Sequence, residues 1–285
     1  MNSTVRFPIP DEGWPKISII TPSYNQGQYL EQTIRSVLDQ QYPNLEYIII
    51  DGGSKDDSVD IIRKYSPSLS FWVSERDSGQ SEALEKGFSK ATGELAAWIN
   101  SDDYYEKDCL FTVARAYRET GFSFFCGTCQ MIDTQGKPIR QLHTKNISYR
   151  SLIRYWKPHF CPPQPSIFFR REILEQLGGF DRSLNYAMDF ALWLEASRTY
   201  RFYQTTENMS YYRVHPASKT GQGLSHFVPE WKMLIDRSLT QSNLFTRWKH
   251  RLEENAFLLR RKLSRLAYKQ RIKATLKKWL FLPIG

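Results

Sequence analysis

The sequence predicts an α/β fold built on a mostly parallel sheet, and three observations support this prediction. Short runs of β-branched and aromatic residues alternate with segments of helical periodicity through the first 120 residues. Each apolar run is followed by a polar loop. Strands that alternate with helices in this way are joined by right-handed crossovers. The repeated unit is therefore typical of a Rossmann-like sheet flanked by helices.

The elements of the first half follow in order. ISIITPS, which starts at Ile17, predicts a strand that breaks at Pro22, and QYLEQTIRSVLDQ predicts a helix because Leu30, Ile34 and Val37 recur at helical spacing. The next strands are predicted at LEYIIID, LSFWVSE and ELAAWIN. The helices between and after them are predicted at DDSVDIIRKY, SGQSEALEKGFSKA and KDCLFTVARAYRE.

The pattern is looser after residue 120. FSFFCGTCQMID predicts a buried strand, a turn follows at residues 135–138, and four prolines lie between residues 158 and 165. We expect this part to form an irregular lid over the sheet edge. SIFFRREILEQLGGFD predicts a strand that leads into a helix, and LNYAMDFALWLEASRTY predicts a helix with Asp189 near its start.

The loops after the four strands of the first half are TPSYN, DGGSKDD, ERDSGQ and NSDD. Open α/β sheets bind ligands at the carboxyl ends of their strands, so these polar loops are the candidate site. None of them contains the G-x-G-x-x-G of a dinucleotide fold or the G-x-x-x-x-G-K-[ST] of a P-loop. A nucleotide would therefore have to be held by side chains and a metal ion.

Composition indicates a globular chain. Its 285 residues are 41% hydrophobic, which is enough for a sizeable core. No stretch of about 18 apolar residues is present, and the first residues lack a basic segment followed by an apolar one, so we expect a cytoplasmic location. The four cysteines are too few for a disulfide scaffold at this length, and we interpret Cys126 and Cys129 as core residues.

Several motifs together resemble the family-2 glycosyltransferases: ISIITPSYNQGQYLEQTIRSVLDQQYPNLEYIIIDGGSKDDS, SERDSGQSEALEKGF and WINSDD. The resemblance covers residues 17 to about 220. It implies a GT-A fold, a nucleotide-sugar donor, a Mg²⁺ or Mn²⁺ ion, and inversion at the anomeric carbon of the sugar. On this basis residues 1–230 form the GT-A domain, with a nucleotide-sugar half at about 16–120 and an acceptor and lid half at about 121–230.

The resemblance assigns the donor pocket residue by residue. Thr21, Pro22 and Tyr24 would line the nucleobase and ribose pocket, with the Tyr24 ring against the base. Asp51 would accept a hydrogen bond from the ring N–H of the base, a charge-assisted contact. A helix cap before GGSKDD is the alternative interpretation of Asp51. Two further residues, Asp77 and Gln80, match a family position near the donor.

The motif WINSDD aligns with the Asp-x-Asp element of the family. Asn100 occupies its first acidic position and Asp102 its second. Asp102 and His215, in YYRVHPASKT, are the predicted metal ligands, while Asn100 and Asp103 complete the nucleotide-sugar set. The alternative interpretation is that Asp102 and Asp103 belong to a loop that only caps the next helix, since paired acidic residues are common after a strand.

The acceptor side is assigned from two other segments. NYAMDFALWL resembles the acidic helix-start motif of the family, in which Met188 replaces the common Glu and Asp189 takes the place of the general base. An acceptor hydroxyl is too weak an acid at pH 7 to attack unaided, so a base must take its proton. Gln164, in CPPQPS, matches a lid position that faces the acceptor.

The charge of +9 is concentrated in a tail over residues 231–285. This tail holds 14 Lys and Arg against 3 Asp and Glu, which leaves 39 − 14 = 25 against 30 − 3 = 27 for the remainder. Such a tail favours a polyanionic partner, either nucleic acid or an anionic membrane. Nucleic acid is disfavoured by the acidic donor pocket.

Helical spacing within the tail predicts a basic amphipathic helix, with apolar residues Trp248, Leu252, Leu259, Leu263 and Leu266. Trp279 and Phe281 favour an interfacial helix, which would place the chain peripherally at the inner face of the plasma membrane. The alternative is a helix that packs on the body and leaves its charged face in solvent.

The sequence thus predicts an inverting glycosyltransferase that moves a sugar from a nucleotide-diphosphate sugar, a UDP-sugar first of all, to a saccharide or lipid-linked acceptor. Two alternatives stay open. One is a nucleotidyltransferase, for which TPSYNQG lacks the expected Gly-rich basic loop. The other is a catalytically inactive nucleotide-sugar-binding scaffold at the membrane.

Overall fold

The first half of the chain alternates strands with helices, as the sequence predicts. The computed structural model describes residues 13–143, 145–157, 160–240 and 242–280. The elements of the first half are β1 (Ile17–Ser23), α1 (Gly27–Leu38), β2 (Leu45–Asp51), α2 (Ser58–Tyr65), β3 (Phe71–Ser74), α3 (Gln80–Lys90), β4 (Leu95–Trp98), the short β5 (Tyr104–Tyr105) and α4 (Cys109–Thr120).

These strands form the parallel part of the sheet. β2 lies between β3 and β1, and β4 lies on the other side of β1, so that the order β3-β2-β1-β4 is parallel throughout. The carboxyl ends of all four strands therefore meet at one edge. β1 continues past the expected break, because Pro22 pairs with Ile50 and Ser23 with Asp51.

The second half adds antiparallel pairs to the same sheet. Its elements are β6 (Phe124–Ile132), β7 (Pro138–Leu142), α5 (Tyr149–Leu152), β8 (Ile167–Arg170), α6 (Arg171–Gln176), α7 (Met188–Thr199), β9 (Phe202–Arg213), α8 (Phe227–Thr240) and α9 (Leu244–Leu280). Within the described residues the sheet has nine strands in the order β3-β2-β1-β4-β8-β6-β9-β5, with β7 paired to β6. β8 is antiparallel to both β4 and β6, and β9 is parallel to β6.

Part of the segment expected to be an irregular lid is regular. β6 and β7 form an antiparallel hairpin on the main sheet, and the turn that joins them contains Gly136 with a positive φ. β9 is also absent from the sequence-based prediction, although its 12 residues make it a long strand. Residues 160–163 of the proline-rich stretch stay irregular and lead into a short 3-10 turn at Gln164–Ser166.

The core lies on both faces of the sheet. Alternate residues of β2 point to opposite sides, so Ile48 and Ile50 belong to one hydrophobic cluster and Tyr47 and Ile49 to the other. All four cysteines are free, and Cys126 and Cys129 are buried in β6. Packing on both faces fixes the strand ends, which is what a site at the sheet edge requires.

The basic tail forms α8 and α9. The predicted boundary at residue 230 falls inside α8, whose Trp231, Leu234 and Ile235 are buried against the body. α9 is 37 residues long. Phe281 and the side chains of Leu266 and Trp279 lie outside the described part of the structure. In that part, no helix combines the length and the apolar character needed to cross a membrane.

Candidate active site

A cleft of about 1380 Å³ opens at the carboxyl edge of the parallel strands. One side is lined by the loops that follow β1, β2, β3 and β4. The opposite side is lined by the hairpin strand β7, the proline-rich segment, the start of α7 and the segment after β9. The cleft therefore joins the two halves of the predicted transferase domain, with one wall from each.

The loop after β1 forms one end of the cleft. Pro22, Ser23 and Tyr24 line it, and the Tyr24 side chain is 61% exposed at the mouth. Thr21 does not line it, because its side chain is fully buried and its hydroxyl lies 3.0 Å from the Tyr47 hydroxyl. The cleft therefore begins at Pro22, the residue that follows Thr21 in β1.

Asp51 is buried at the end of β2 and organises the loop that follows. Its Oδ2 accepts hydrogen bonds from the backbone N–H groups of Gly53 and Ser54 at 3.1 and 2.9 Å and from the Ser74 hydroxyl at 2.7 Å. Gly52, the next residue, lines the cleft in its place. The base contact predicted for Asp51 therefore stays a prediction, and the structure gives this carboxylate a turn-forming role.

Asp77 and Gln80 both line the cleft, as predicted from their motif. A Cβ on Gly52 would lie 2.9 Å from an Asp77 carboxylate oxygen, so a larger residue at this position would displace the Asp77 side chain. Burial raises the pKa of Asp77. Gln80 begins α3, donates to the Asn100 amide oxygen at 2.6 Å and accepts from the Lys219 ammonium at 2.8 Å.

Asn100 joins both walls of the cleft through its amide. Its Nδ2 donates to Gln164 Oε1 at 3.2 Å and lies 3.4 Å from Asp103 Oδ2, while its oxygen accepts from Gln80. Gln164 in turn donates to the Trp98 carbonyl at 2.8 Å. A carboxylate at position 100 could not donate to either partner, which explains why an amide stands at the first position of the Asp-x-Asp element.

Asp102 and His215 meet at the cleft from different elements. Asp102 Oδ2 lies 2.9 Å from His215 Nε2, and the two side chains are 15% and 3% exposed. Asp102 lines the cleft, whereas His215 lies behind it and packs its ring 5.1 Å from that of Tyr29. The structure thus brings together the two residues predicted to bind the metal.

Asp103 points away from the cleft and is 1% exposed. Its Oδ1 accepts the backbone N–H of Arg213 at 2.9 Å. Burial raises the pKa of Asp103 well above its ordinary value, and the neighbouring Asp102 carboxylate raises it further. Asp103 therefore anchors the end of β9, and the predicted contact of Asp103 with the nucleotide sugar is not what the structure shows.

Arg213 fixes the segment that carries His215. Its guanidinium donates to the Asp102 carbonyl at 3.1 Å and to Gln32 Oε1 at 2.7 Å, and it lies over the Tyr29 ring at 4.6 Å. A buried arginine with these partners holds the acidic loop and the end of β9 in one arrangement. The distance between Asp102 and His215 is a consequence of that arrangement.

The donor set of Asp102 and His215 fits Mg²⁺ or Mn²⁺. The Asp102 carboxylate is a ligand that both ions prefer, the His215 imidazole suits Mn²⁺ better than Mg²⁺, and both ions leave positions for phosphate oxygens and water. The described residues contain no cluster of three or more His, Cys, Asp or Glu side chains that could enclose a cation alone. The two side chains therefore suit a cation site that a bound diphosphate completes.

Asp189 lies across the cleft in the first turn of α7. Burial raises its pKa to about 6, the backbone N–H of Phe190 donates to it at 2.7 Å, and the charge of Lys219 opposes the shift. Met188, at the position of the common Glu, is buried and accepts from the Ser81 hydroxyl at 3.0 Å. A carboxylate with this pKa is a better base than an exposed one and is still ionised at pH 7.

Two residues near Asp189 are absent from the sequence-based prediction. Lys219 lines the cleft, and burial lowers its pKa while Asp189 and Glu230 raise it. Glu230, on α8, accepts the backbone N–H groups of Asn185, Tyr186 and Ala187 at 2.8–3.0 Å and so fixes the loop before Asp189. Lys219 lies only four residues after His215, which could have indicated its place at the site. The role of Glu230 is visible only in the fold.

Comparisons with known proteins identify similar sequences. The model of glycosyl transferase family 2 matches residues 18–178. An uncharacterised glycosyltransferase of Nostoc is 29% identical over 217 residues, which are 71% of this chain and 66% of that protein. A candidate teichuronic acid biosynthesis glycosyltransferase of Bacillus subtilis, TuaG, is 39% identical over 119 residues, which are 38% of this chain and 47% of that protein.

Solved structures show the same fold. The Staphylococcus aureus protein TarS (residues 1–349), in complex with UDP-GlcNAc, superposes with a TM-score of 0.64 at 20% identity, over 80% of this chain and 68% of that one. A mannosyltransferase of Pyrobaculum calidifontis in complex with GDP-Man and Mn²⁺ gives a TM-score of 0.59 at 18% identity, over 97% of this chain and 83% of that one. The chain spans about two thirds of the length of the Nostoc relative.

The family model covers more than half of the chain, and the solved structures share its fold. The chain belongs to glycosyl transferase family 2 and has a GT-A fold.

Proposed function

We propose that the chain is an inverting glycosyltransferase, which moves a sugar from a nucleotide-diphosphate sugar to a hydroxyl of a saccharide or lipid-linked acceptor. The observation that carries this proposal is the placement of Asp102 and Asp189 in one cleft, with His215 hydrogen-bonded to Asp102 from behind. A base for the acceptor and a charged site for the leaving diphosphate are the two groups that direct displacement requires. Attack from the side opposite the leaving group inverts the anomeric carbon.

On the acceptor side, Asp189 takes the proton of the attacking hydroxyl as the new bond forms. Its raised pKa brings it closer to the pKa of the group it deprotonates, and it stays largely ionised at pH 7. Lys219 stabilises the ionised form by charge. Glu230 holds the backbone before Asp189 in place, so that the carboxylate is positioned before the acceptor arrives.

On the donor side, Pro22 and Tyr24 provide an apolar edge for the nucleobase, and Asp77 and Gln80 lie near the sugar and ribose. Asp102 and His215 would hold Mg²⁺ or Mn²⁺, which neutralises the charge that develops on the diphosphate as it leaves. We propose a UDP-sugar as donor. TarS was solved in complex with UDP-GlcNAc and with UDP, which supports this choice.

The acceptor class and biological role are proposed from chemistry and from similar proteins. TuaG is named for teichuronic acid biosynthesis, which supports a role in building a polysaccharide of the cell envelope. The nucleotidyltransferase alternative is disfavoured by the family to which the chain belongs. The inactive scaffold alternative is disfavoured because both Asp102 and Asp189 are present in the cleft.

We also propose that α9 docks the protein on an anionic membrane at the inner face of the plasma membrane. Large apolar side chains on α9, including Leu244, Trp248 and Leu259, are 57–80% exposed. The sequence of α9 contains 12 Lys and Arg against 2 Glu. An exposed apolar stripe on a strongly basic helix is suited to the interface of an anionic bilayer.

The replacement of Asp189 by Asn tests the central assignment. We expect Asp189→Asn to slow sugar transfer by roughly 10²-fold or more, because the base is lost, and to leave UDP affinity unchanged. In the unmodified chain, the turnover rate should fall as the pH drops below about 6. Steady-state rates and calorimetric UDP binding measure both quantities.

Asp236→Asn is the matched control, since Asp236 is exposed on α8 and does not line the cleft. It should leave transfer and UDP affinity as they are. Unchanged transfer by Asp189→Asn would contradict the assignment of the base. The absence of any sugar transfer by the unmodified chain, with UDP still bound, would instead favour the scaffold alternative.

A further inference from the structure

The acceptor half of the cleft is strongly cationic. Among the described residues of positions 121–230 that line it, the side chains that carry a formal charge are one carboxylate, Asp189, and four cations. The four cations are Arg140, Lys157, Arg182 and Lys219. A neutral sugar acceptor would need hydrogen-bonding groups and aromatic faces here, and it would gain nothing from an excess of positive charge.

Two of these cations already have partners. Arg182 forms an ion pair with Glu85, and Lys219 donates to Gln80 at 2.8 Å. Arg140 and Lys157 are exposed, and neither makes a side-chain hydrogen bond or ion pair with another described residue. The charge of Lys157 does act on Glu253, but that carboxylate is already paired with Arg154. An exposed cation that faces a cleft without a hydrogen-bonded carboxylate is suited to bind an anionic ligand.

The sheet register places Arg140 on the same face as the catalytic groups. Arg140 pairs with Met131 across β7 and β6, and Met131 pairs with Tyr212 across β6 and β9. All three side chains line the cleft. Because neighbouring strands lie about 4.8 Å apart, the backbone of Arg140 lies roughly 10 Å from that of Tyr212.

Tyr212 connects this row to the reaction centre. Its hydroxyl hydrogen-bonds that of Thr220. Burial raises its pKa, and the charges of Asp103, Asp102 and Asp189 raise it further. Arg140 lies two strands away from Tyr212 in this row and lines the same cleft as Asp189. An acceptor that spans the cleft would meet Asp189 and Arg140 with different groups.

Lys157 approaches the cleft from a different segment, next to a fixed aromatic side chain. Trp156, its neighbour, lines the cleft and packs its ring 5.0 Å from His250 and 6.3 Å from Phe257 of α9. The ring of Trp156 is thus held in place from behind. An aromatic ring beside a cation suits a ligand that carries both a sugar ring and a charge.

We propose that Arg140 and Lys157 form an anion subsite that binds a phosphate or carboxylate group of the acceptor, so that the acceptor of this enzyme is negatively charged. The subsite rests on the proposed function, because it concerns the substrate whose hydroxyl meets Asp189. It narrows that function from saccharides in general to glycans or glycan carriers with oxyanion groups. Phosphate and carboxylate share the chemistry that a guanidinium and an ammonium recognise.

The test measures binding of small anionic probes to the full chain with UDP saturating the donor site. The probes are inorganic tripolyphosphate, oligogalacturonate as a carboxylate-bearing saccharide, and a dextran oligomer of the same length as the neutral reference. We expect the chain to bind at least one anionic probe. The affinity for the dextran should be lower by roughly tenfold or more. The probe that binds identifies phosphate or carboxylate as the preferred group.

The variant Arg140→Gln/Lys157→Gln should lose roughly tenfold or more of the affinity for the anionic probe, because two charge-assisted contacts disappear. Lys107→Gln/Arg150→Gln removes the same charge from exposed positions outside the cleft and should change the affinity less than twofold. Equal probe affinity in both double variants would overturn the subsite, as would equal binding of dextran and the anionic probes.

The UDP affinity of every variant is measured first. If the unmodified chain bound UDP but showed no preference for the anionic probes, the subsite would be wrong. The proposed function would not be affected. A chain that binds neither UDP nor any probe would count against the proposed function itself, so the two failures are distinguishable.

Discussion

Asp102 and Asp103 are adjacent carboxylates with different surroundings. Asp103 is buried and accepts from the Arg213 backbone, and burial together with the neighbouring Asp102 carboxylate raises its pKa. Asp102 faces the cleft beside His215. The pair therefore combines a structural anchor with a ligand group, and of the two only Asp102 is placed to interact with a cation.

We expect Asp102→Asn to abolish the metal dependence of donor binding. The amide keeps an oxygen but lacks the charge that a hard divalent cation prefers. In the unmodified chain, Mn²⁺ should increase UDP affinity, and in the variant this increase should fall by roughly tenfold or more. Titration of UDP with and without Mn²⁺, followed by thermal shift, measures the effect.

Asp236→Asn again serves as the control and should keep the full response to Mn²⁺, because Asp236 lies outside the cleft. Near-normal UDP binding and turnover of the unmodified chain in the presence of a strong chelator would contradict the metal assignment. The fold of Asp102→Asn should be intact, since the anchor of the loop is Asp103.

Asp189→Asn should also change stability, in a direction that depends on pH. The folded pKa of Asp189, about 6, is above the unfolded value of about 3.9, so its stabilising contribution is complete below pH 3.9 and is lost as the pH rises through 6. At pH 8 the ionised group costs up to about 3 kcal/mol, which Asn removes. The Tm of the variant should exceed that of the unmodified chain by a few degrees at pH 8 and match it near pH 4.

Thermal denaturation at several pH values measures this difference. Asp236→Asn should show no such trend. A stability difference between Asp189→Asn and the unmodified chain that stayed constant with pH would show that the buried charge is not its cause.

Most of the site residues predicted from the sequence lie at the cleft, but the sequence does not determine the orientation of every side chain. The family resemblance led to Asp102, His215 and Asp189, and the structure places Asp102 and Asp189 in the cleft with His215 beside Asp102. The resemblance did not show that Thr21 is buried against Tyr47, because the fold decides how far along β1 the cleft extends. Glu230 acts through a contact 43–45 residues away in sequence, and no local pattern indicates such a contact.

At the scale of elements, the strands that could be predicted are those with a clear local sequence pattern. β1, β2, β3 and β4 are apolar runs beside periodic helices, and a sequence shows both features. β9 was missed because FYQTTENMSYYR mixes polar and aromatic residues without clean alternation. Its strand conformation depends on pairing with β6, which precedes it by about 70 residues, so tertiary contacts decide it.

α9 is held on the body by its acidic residues, which are rare in this helix. Glu253 accepts two hydrogen bonds from the Arg154 guanidinium at 2.7 Å, and Glu254 accepts the Tyr155 hydroxyl at 2.7 Å. His250 lies 2.9 Å from the carbonyl of Ile153. These contacts reach the segment that leads to Trp156 and Lys157, so the docking of α9 supports the acceptor wall.

We expect Glu253→Gln to loosen α9. The bidentate pair with Arg154 is partly buried, and its loss should cost about 1 kcal/mol or less of docking free energy. Because α9 is rich in Lys and Arg, limited trypsin digestion should cleave it faster in the variant. The rate at which the C-terminal fragment is released measures the effect.

Glu119→Gln, an exposed change on α4, should leave this rate unchanged. Arg154→Glu/Glu253→Arg restores an ion pair with reversed charges and should slow cleavage relative to either single change. Equal cleavage rates in Glu253→Gln and the unmodified chain would show that the pair does not hold the helix.

At the scale of the whole molecule, α9 presents two opposite faces. The residues that contact the body, such as His250 and Glu253, lie about half a helical turn from Leu244, Trp248 and Leu252. The apolar stripe is therefore directed away from the body and stays exposed. This arrangement disagrees with the alternative of a helix that buries its apolar face on its own domain, and it is consistent with the membrane proposed above as the occupant of the stripe.

We expect the chain to sediment with anionic phosphatidylglycerol vesicles at low salt, to be partly released at high salt, and to bind neutral phosphatidylcholine vesicles weakly. Each Lys or Arg near an anionic surface contributes about 1 kcal/mol and is screened by salt, whereas the buried apolar stripe contributes a share that salt does not remove. Truncation before Leu244 should abolish sedimentation and leave UDP binding intact, because the residues proposed to bind the donor precede Ser218.

A substitution separates the stripe from the charge of the helix. Leu252→Gln/Leu259→Gln keeps every cation and the contacts of Glu253, so it should reduce the salt-resistant share of vesicle binding and preserve the salt-sensitive share. Glu119→Gln should sediment like the unmodified chain. If the truncated chain bound vesicles equally well, the membrane role would be wrong. If Leu252→Gln/Leu259→Gln instead abolished a dimer seen in solution and left vesicle binding unchanged, a second copy of the chain would be the occupant of the stripe.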